Sequence, residues 1–220
     1  MGDKTLLRIG AWAAIIGGIL AVVVNIFAPR AGSGELGDPA AELNLAATTK
    51  GWELIMIGIA VALLILLGAF YVISHSIKDA PAKGWAHLGM GFILAGTAIG
   101  VTVFAIQGEF ARGIDVMGAD SLASAAFVTG ALMKGWTLTY FGFGALLFGI
   151  ALAVSSEYPT WLGGVTVLAG LVGLVDGFME FFAGTSQATT YYLFPISSGL
   201  LTLVVLYEGV LLFRKASASA

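Results

Sequence analysis

Residues 50–73 read KGWELIMIGIAVALLILLGAFYVI, a basic residue and an indole followed by an apolar run broken only by Glu53. As a helix rising 1.5 Å per residue, the run crosses a hydrocarbon core of about 30 Å. Lys snorkels and Trp favours the headgroup zone, so Lys50-Gly51-Trp52 marks where the chain leaves water for lipid. The same tripeptide recurs at Lys83-Gly84-Trp85 and Lys134-Gly135-Trp136, each time ahead of another long apolar run.

The whole chain fits that reading. Of its 220 residues 59% are hydrophobic and 10% charged, against about 25% charged in ordinary soluble domains. Six apolar segments can be drawn, at 6–27, 51–73, 85–106, 135–154, 161–182 and 192–213. No segment alternates polar and apolar residues as a membrane strand does. The expected fold is an all-α polytopic membrane protein with six transmembrane helices and no separate soluble domain. The first segment, with Lys4 and Arg8 ahead of it, is expected to be a retained signal-anchor because no small-x-small cleavage site follows it.

Lys4, Arg8, Lys78, Lys83, Arg214 and Lys215 fall on one side of a six-span path, and Arg30, Lys50, Arg112 and Lys134 on the other. The positive-inside rule then places both termini in the cytoplasm of a cell (inner) membrane. Two longer connections, 29–49 and 108–124, face outward. The first reads as a loop, a short surface helix or a partner-binding segment, the second as a loop or an early start of the fourth helix.

The first and third tripeptides extend to Lys-Gly-Trp-x-Leu-x-x-x-Gly, ending at Gly58 and Gly142. Segments two and three and segments four and five therefore read as two parallel hairpins, with Gly89 aligned to Gly163 and Gly96 to Gly170, from a duplicated element. The simplest architecture is a central four-helix bundle of these hairpins, flanked by helices one and six. The copy at Lys83 opens its helix from the opposite side and is an interfacial anchor.

Glu157-Tyr-Pro-Thr-Trp161-Leu-Gly-Gly164, followed by a Leu-Ala-Gly-Leu helix, resembles a turn in small six-helix prokaryotic integral membrane proteins grouped as a domain of unknown function. The Ala105-Ile-Gln-Gly108 stretch is similar to an Ala-x-x-Gly pattern in the same group. Members commonly carry a basic residue where Thr160 stands. The resemblance implies the multi-helix membrane fold and carries over no site residues.

Among residues that can do chemistry, Asp176 and Glu180 stand out. They are spaced i, i+4 on one helix face, with Ala169, Gly173, Gly177 and Gly184, the last outside the residues described below, forming a small-residue stripe that lets another helix come close. From Trp161 at the inner interface, Asp176 sits roughly 22 Å and Glu180 roughly 28 Å up. Intramembrane carboxylates are costly, so the pair is a candidate ion or proton site, weighed against a packing hydrogen bond or an ion pair with Lys134 or Arg112. Asn25, Glu53, Gln107 and Lys134 reach the same outer half and form a candidate outer vestibule, unless Glu53 and Lys134 turn to headgroups. Glu208, on helix six, is a candidate inner polar residue that either closes a gate or pairs with a nearby Lys or Arg.

With no Cys in the chain, thiolate nucleophiles and Cys-ligated metals are excluded. His75 and His87 flank one turn without a third ligand, so no metal site is expected. Neither a Walker lysine nor a His-Glu-x-x-His occurs. No catalytic residues and no cofactors are expected, and the chain is not read as an enzyme; cofactor-binding residues are unknown. The net charge of −3 gives nucleic acid no purchase. The expected partners are the lipid bilayer and other membrane subunits or a second copy of the chain. The expected function is a structural or accessory role within the membrane, the alternative a small transporter or channel for protons, cations or a small polar solute.

Overall fold

The computed structural model describes residues 2–27, 39–183 and 192–218. Six of its helical stretches are long and apolar enough to span a bilayer: Lys4–Phe27, Trp52–Ser76, Ala80–Met117, Ala119–Val154, Thr160–Ala183 and Phe194–Ala218. The protein is an all-α, multi-pass membrane protein, and no strand occurs among the described residues. Helix is the solution lipid imposes, because it satisfies backbone polar groups within one segment.

The elements in order are α1 (Gly2–Phe27), α2 (Pro39–Thr48), α3 (Trp52–Ser76), α4 (Ala80–Gly108), α5 (Phe110–Met117) and α6 (Ala119–Trp136). A π-helical segment (Thr137–Gly144), α7 (Ala145–Val154), α8 (Thr160–Ala183) and α9 (Phe194–Ala218) follow. The 29–49 connection thus contains a short helix, α2, opened by Pro39 at a position where no N–H is missed; residues 28–38 lie outside the described residues. Gly51, at φ 78°, turns α2 into α3 through a conformation that side chains resist. The 108–124 connection is helical too: Gly118, at φ 80°, separates α5 from α6, so the fourth span starts early.

On the face holding the termini, the turns are tied by side chains. Asp79 accepts from the Ser156 N–H and hydroxyl at 2.6 and 2.7 Å. The hydroxyls of Ser76 and Tyr158 share a hydrogen bond of 2.5 Å. Lys215 donates to Glu157 at 3.2 Å and lies over the Tyr158 ring.

Each span packs against its neighbours in sequence, and α1 packs against α9, so the six close into a ring. This differs from a central four-helix bundle. The hairpins α3–α4 and α6–α8 form and meet through α4, but α1 and α9 fill the side where α3 would meet α8. The aligned glycines also have non-equivalent neighbours. Gly89 and Gly96 face Phe148 and Tyr140 on the span that follows their own, whereas Gly163 and Gly170 face Ala153 and Leu146 on the span that precedes theirs. The aligned pairs therefore do not occupy equivalent places in the ring, and each answers a need for close approach that small residues meet in lipid.

The fourth span is gripped on both sides in this way. Gly173 abuts the Phe141 carbonyl and Gly177 abuts Leu138, while Gly149 turns its own backbone to Val167. On the other arc of the ring, Gly18 admits Leu206 and Gly209 admits Ile15, holding α1 to α9 around mid-span. The first turn of α9 lies deep in the bilayer: the Ser197 hydroxyl donates to the Ala169 carbonyl at 2.8 Å, about 21 Å below Ala183 by the helical rise.

A methyl group at Gly170 must overlap the Leu146 backbone, whereas one at Gly164 meets nothing within 4 Å. Gly170→Ala is expected to cost about 1–3 kcal/mol through overpacking, read as a lowered melting temperature in detergent, with Gly164→Ala unchanged. Equal melting of the two variants contradicts the grip described.

Candidate functional site

Aromatic side chains fill the interior of the ring where the fourth span widens into π turns, a feature that often marks functional segments. Trp136, Tyr140 and Phe141 point inward together. Trp136 meets Phe104 at 5.2 Å and Phe141 at 5.0 Å between ring centroids, and Phe141 meets Phe194 at 5.2 Å. Phe70, packed at 5.2 Å on Phe148, backs Tyr140 from the other side.

Above this floor, toward the α2 face, the ring frames a half-open cavity of about 770 Å³, within the range of sites that hold small organic ligands. Most of its lining is apolar, supplied by residues such as Met56, Leu63, Leu66, Phe104 and Val205. Polar groups gather around its upper part: Asn25, Glu42, Gln107, Lys134, Thr137 and Glu180.

Four sequence-predicted residues therefore meet at one cavity, namely Asn25, Gln107, Lys134 and Glu180. Glu53 does not: it is exposed and turned away, one position along α3 from the buried Trp52. Asn25 spends its amide on the Ala21 carbonyl, at 2.7 Å. Gln107 is buried; its amide donates to Glu42 and its backbone carbonyl accepts from the Trp52 indole, both at 2.5 Å. Asp176, fully buried, lies outside the cavity lining, and neither of its carboxylate oxygens has a hydrogen-bond partner. Glu208 is likewise fully buried near the termini face with neither carboxylate oxygen hydrogen-bonded, and Lys215, which donates to Glu157, acts on it electrostatically.

Two expectations change. Trp52 and Trp136 are buried cavity walls rather than headgroup anchors, while Trp85 is exposed as an anchor should be. Glu42, which sequence reading passed over because α2 carries no transmembrane signal, is instead a lining residue. Burial pushes its carboxyl above the usual range, opposed by hydrogen bonds from Gln107 and Thr129.

Three buried polar atoms on cavity-lining side chains have no partner: the Trp136 Nε1, the Tyr140 hydroxyl and Glu180 Oε2. The Thr137 hydroxyl, which donates to the Met133 carbonyl at 3.2 Å, lies beside the Glu180 carboxylate, and Lys134 acts on that carboxylate electrostatically without closing an ion pair among the described residues. Native interiors leave few such groups unanswered, and each one asks for an account.

Comparison with protein-family models, characterised proteins and solved structures finds no match to this chain.

Because the folded state holds the Glu42 proton more tightly than the unfolded chain does, α2 docking is strongest below the ordinary value of 4.5 and weakens as pH rises through the raised one. Amide exchange in α2 is expected to be slower at about pH 4 than at about pH 8, after correction for intrinsic rates, and Glu42→Gln to flatten the difference. An unchanged pH response in Glu42→Gln contradicts this assignment.

Proposed function

We propose that this membrane protein binds an amphipathic small molecule inside the helix ring, its apolar body among the aliphatic and aromatic side chains and its polar head near Glu180 and Lys134. One observation carries the reading: a ligand-sized, mostly apolar cavity in whose lining Lys134 and Glu180 lie close to each other. A structural or accessory role gives these groups no purpose. A conduit for hydrated ions is equally poorly served, because the lining is mostly apolar and Phe70, Tyr140 and Phe148 close the floor. In this reading the termini face, with its larger share of Lys and Arg, is cytoplasmic, and the cavity belongs to the outer half of the membrane.

Gly199 lines the cavity, and a Cβ added there meets nothing within 4 Å. Gly199→Phe is therefore expected to fill the cavity without disturbing the ring. Native mass spectrometry of protein extracted from its own membrane tests the proposal: the wild type retains a non-protein molecule after delipidation, and Gly199→Phe, with an unchanged melting temperature, loses it at least about tenfold, or 1.4 kcal/mol. Equal retention by the two rejects the proposal.

A second reading rests on Asp176, a buried carboxyl without partners one turn below Glu180. It gives the binding cycle a proton site, as intramembrane carboxylates do in carriers. Asp176→Asn is expected to leave ligand retention intact and abolish ligand-dependent proton flux into proteoliposomes; undiminished flux excludes this role.

A further inference from the structure

Resting on the amphiphile-binding reading, we infer that the bound molecule is a lipid of the surrounding bilayer, its acyl chain admitted sideways through a slot between α1 and α9.

The slot is the open half of a seam. Gly18, Val22 and Ile26 recur at i, i+4 and i+8 and share one face of α1, while Gly199, Leu203 and Leu206 share one face of α9. The two faces meet at one end, where Gly18 lies against Leu206. Beyond that contact they part: Val22, Ile26 and Leu203 are 42%, 71% and 65% exposed, and all three line the cavity together with Gly199. Residues that are exposed and also line a cavity stand at its mouth.

The parting has a cause on each side. Gly58 admits Val24, which holds this part of α1 to α3, and the Ser197 hydroxyl donates to the Ala169 carbonyl, which holds the start of α9 to α8. The two helices are drawn to different neighbours. Gly199 keeps the gap clear, since even a Cβ there meets nothing within 4 Å.

The occupant follows from where the mouth opens. Val22 and Ile26 belong to the span Lys4–Phe27 and Leu203 to the span Phe194–Ala218, so the slot opens toward hydrocarbon. What stands there is the acyl chain of a lipid. The polar side chains beside the slot make no demand on it, because Asn25 donates to the Ala21 carbonyl and Thr202 to the Ser198 carbonyl, each at 2.7 Å. Inside, Leu63, Leu66 and Phe70 offer a chain surroundings as apolar as those it leaves. Entry from water meets α2 instead, which Glu42 ties to Gln107.

The test uses the two tryptophans of the cavity wall and the absence of cysteine from the chain. Trp12, Trp85 and Trp161, all exposed, are replaced by Phe, which leaves Trp52 and Trp136 as the fluorophores. Val22→Cys and Leu203→Cys are added and joined by a reducible bis-methanethiosulfonate spacer in phosphatidylcholine vesicles. These are then fused with an excess of phosphatidylcholine brominated in its acyl chains, which quenches an indole at close contact. With the cysteines unjoined, the interior fluorescence is expected to fall. The joined protein is expected to lose it at least about tenfold more slowly, and reductant to restore the fast loss. Either cysteine alone, given the same reagent, is expected to quench as fast as the unjoined pair. Equal rates in the joined and reduced proteins overturn the slot. Unquenched Trp52 and Trp136 in the unjoined protein overturn the lipid as occupant, and amphiphile binding still stands where the wild type retains a molecule that Gly199→Phe loses. Equal retention by those two overturns both.

Discussion

The close approach of helix backbones at glycine is the interaction on which the rest of this structure depends. In lipid no hydrophobic force draws one helix to another, so adhesion comes from packing and from the few polar contacts available. Gly89 and Gly96 on α4, and Gly163, Gly170, Gly173 and Gly177 on α8, let both helices press on the backbone of the fourth span. That places three spans tightly along one arc of the ring. The opposite arc is built by α1, α3 and α9, with α1 meeting α3 at Gly10, Gly17 and Gly58, and the space left between the arcs toward the α2 face is the cavity.

The π turns of the fourth span convert this geometry into a site. Over Thr137–Gly144 the helix widens and presents Tyr140 and Phe141 to the interior beside Trp136. The same turns set Thr137 against Glu180. The cavity thus acquires an aromatic floor and an acidic rim from two spans that the glycine contacts lock together. Helix α2 completes the upper wall through Glu42, held by Gln107, whose carbonyl in turn holds Trp52.

Much of this was legible in the chain. Long apolar runs and interfacial basic residues were enough for the six spans and the helical class, and the i, i+4 spacing of Asp176 and Glu180 placed both on the buried face of α8. Gln107 and Lys134, placed in the same half as Glu180, do line one cavity with it. What sequence could not resolve was which neighbour each glycine serves, since Gly89 and Gly163 look alike in a pattern yet face different spans. The Lys-Gly-Trp motif misled for a related reason: an indole at a helix start can anchor in headgroups or wall a cavity, and only the ring closure decides that Trp52 and Trp136 do the second. Glu53 and Glu42 show the same limit, because one residue of rotation separates lining from exposure. The π widening has no signal in composition or period.

The central claim is that the ring is built around a molecule rather than packed to exclusion. An experimental density map of the protein in nanodiscs formed from its native membrane tests this most directly. The account predicts elongated, non-protein density along Met56, Leu63, Leu66 and Phe70 that ends in a head near Glu180 and Lys134. Collapse of α1 and α9 onto the fourth span, or isolated waters on Trp136 and Glu180 with nothing joining them, would contradict it.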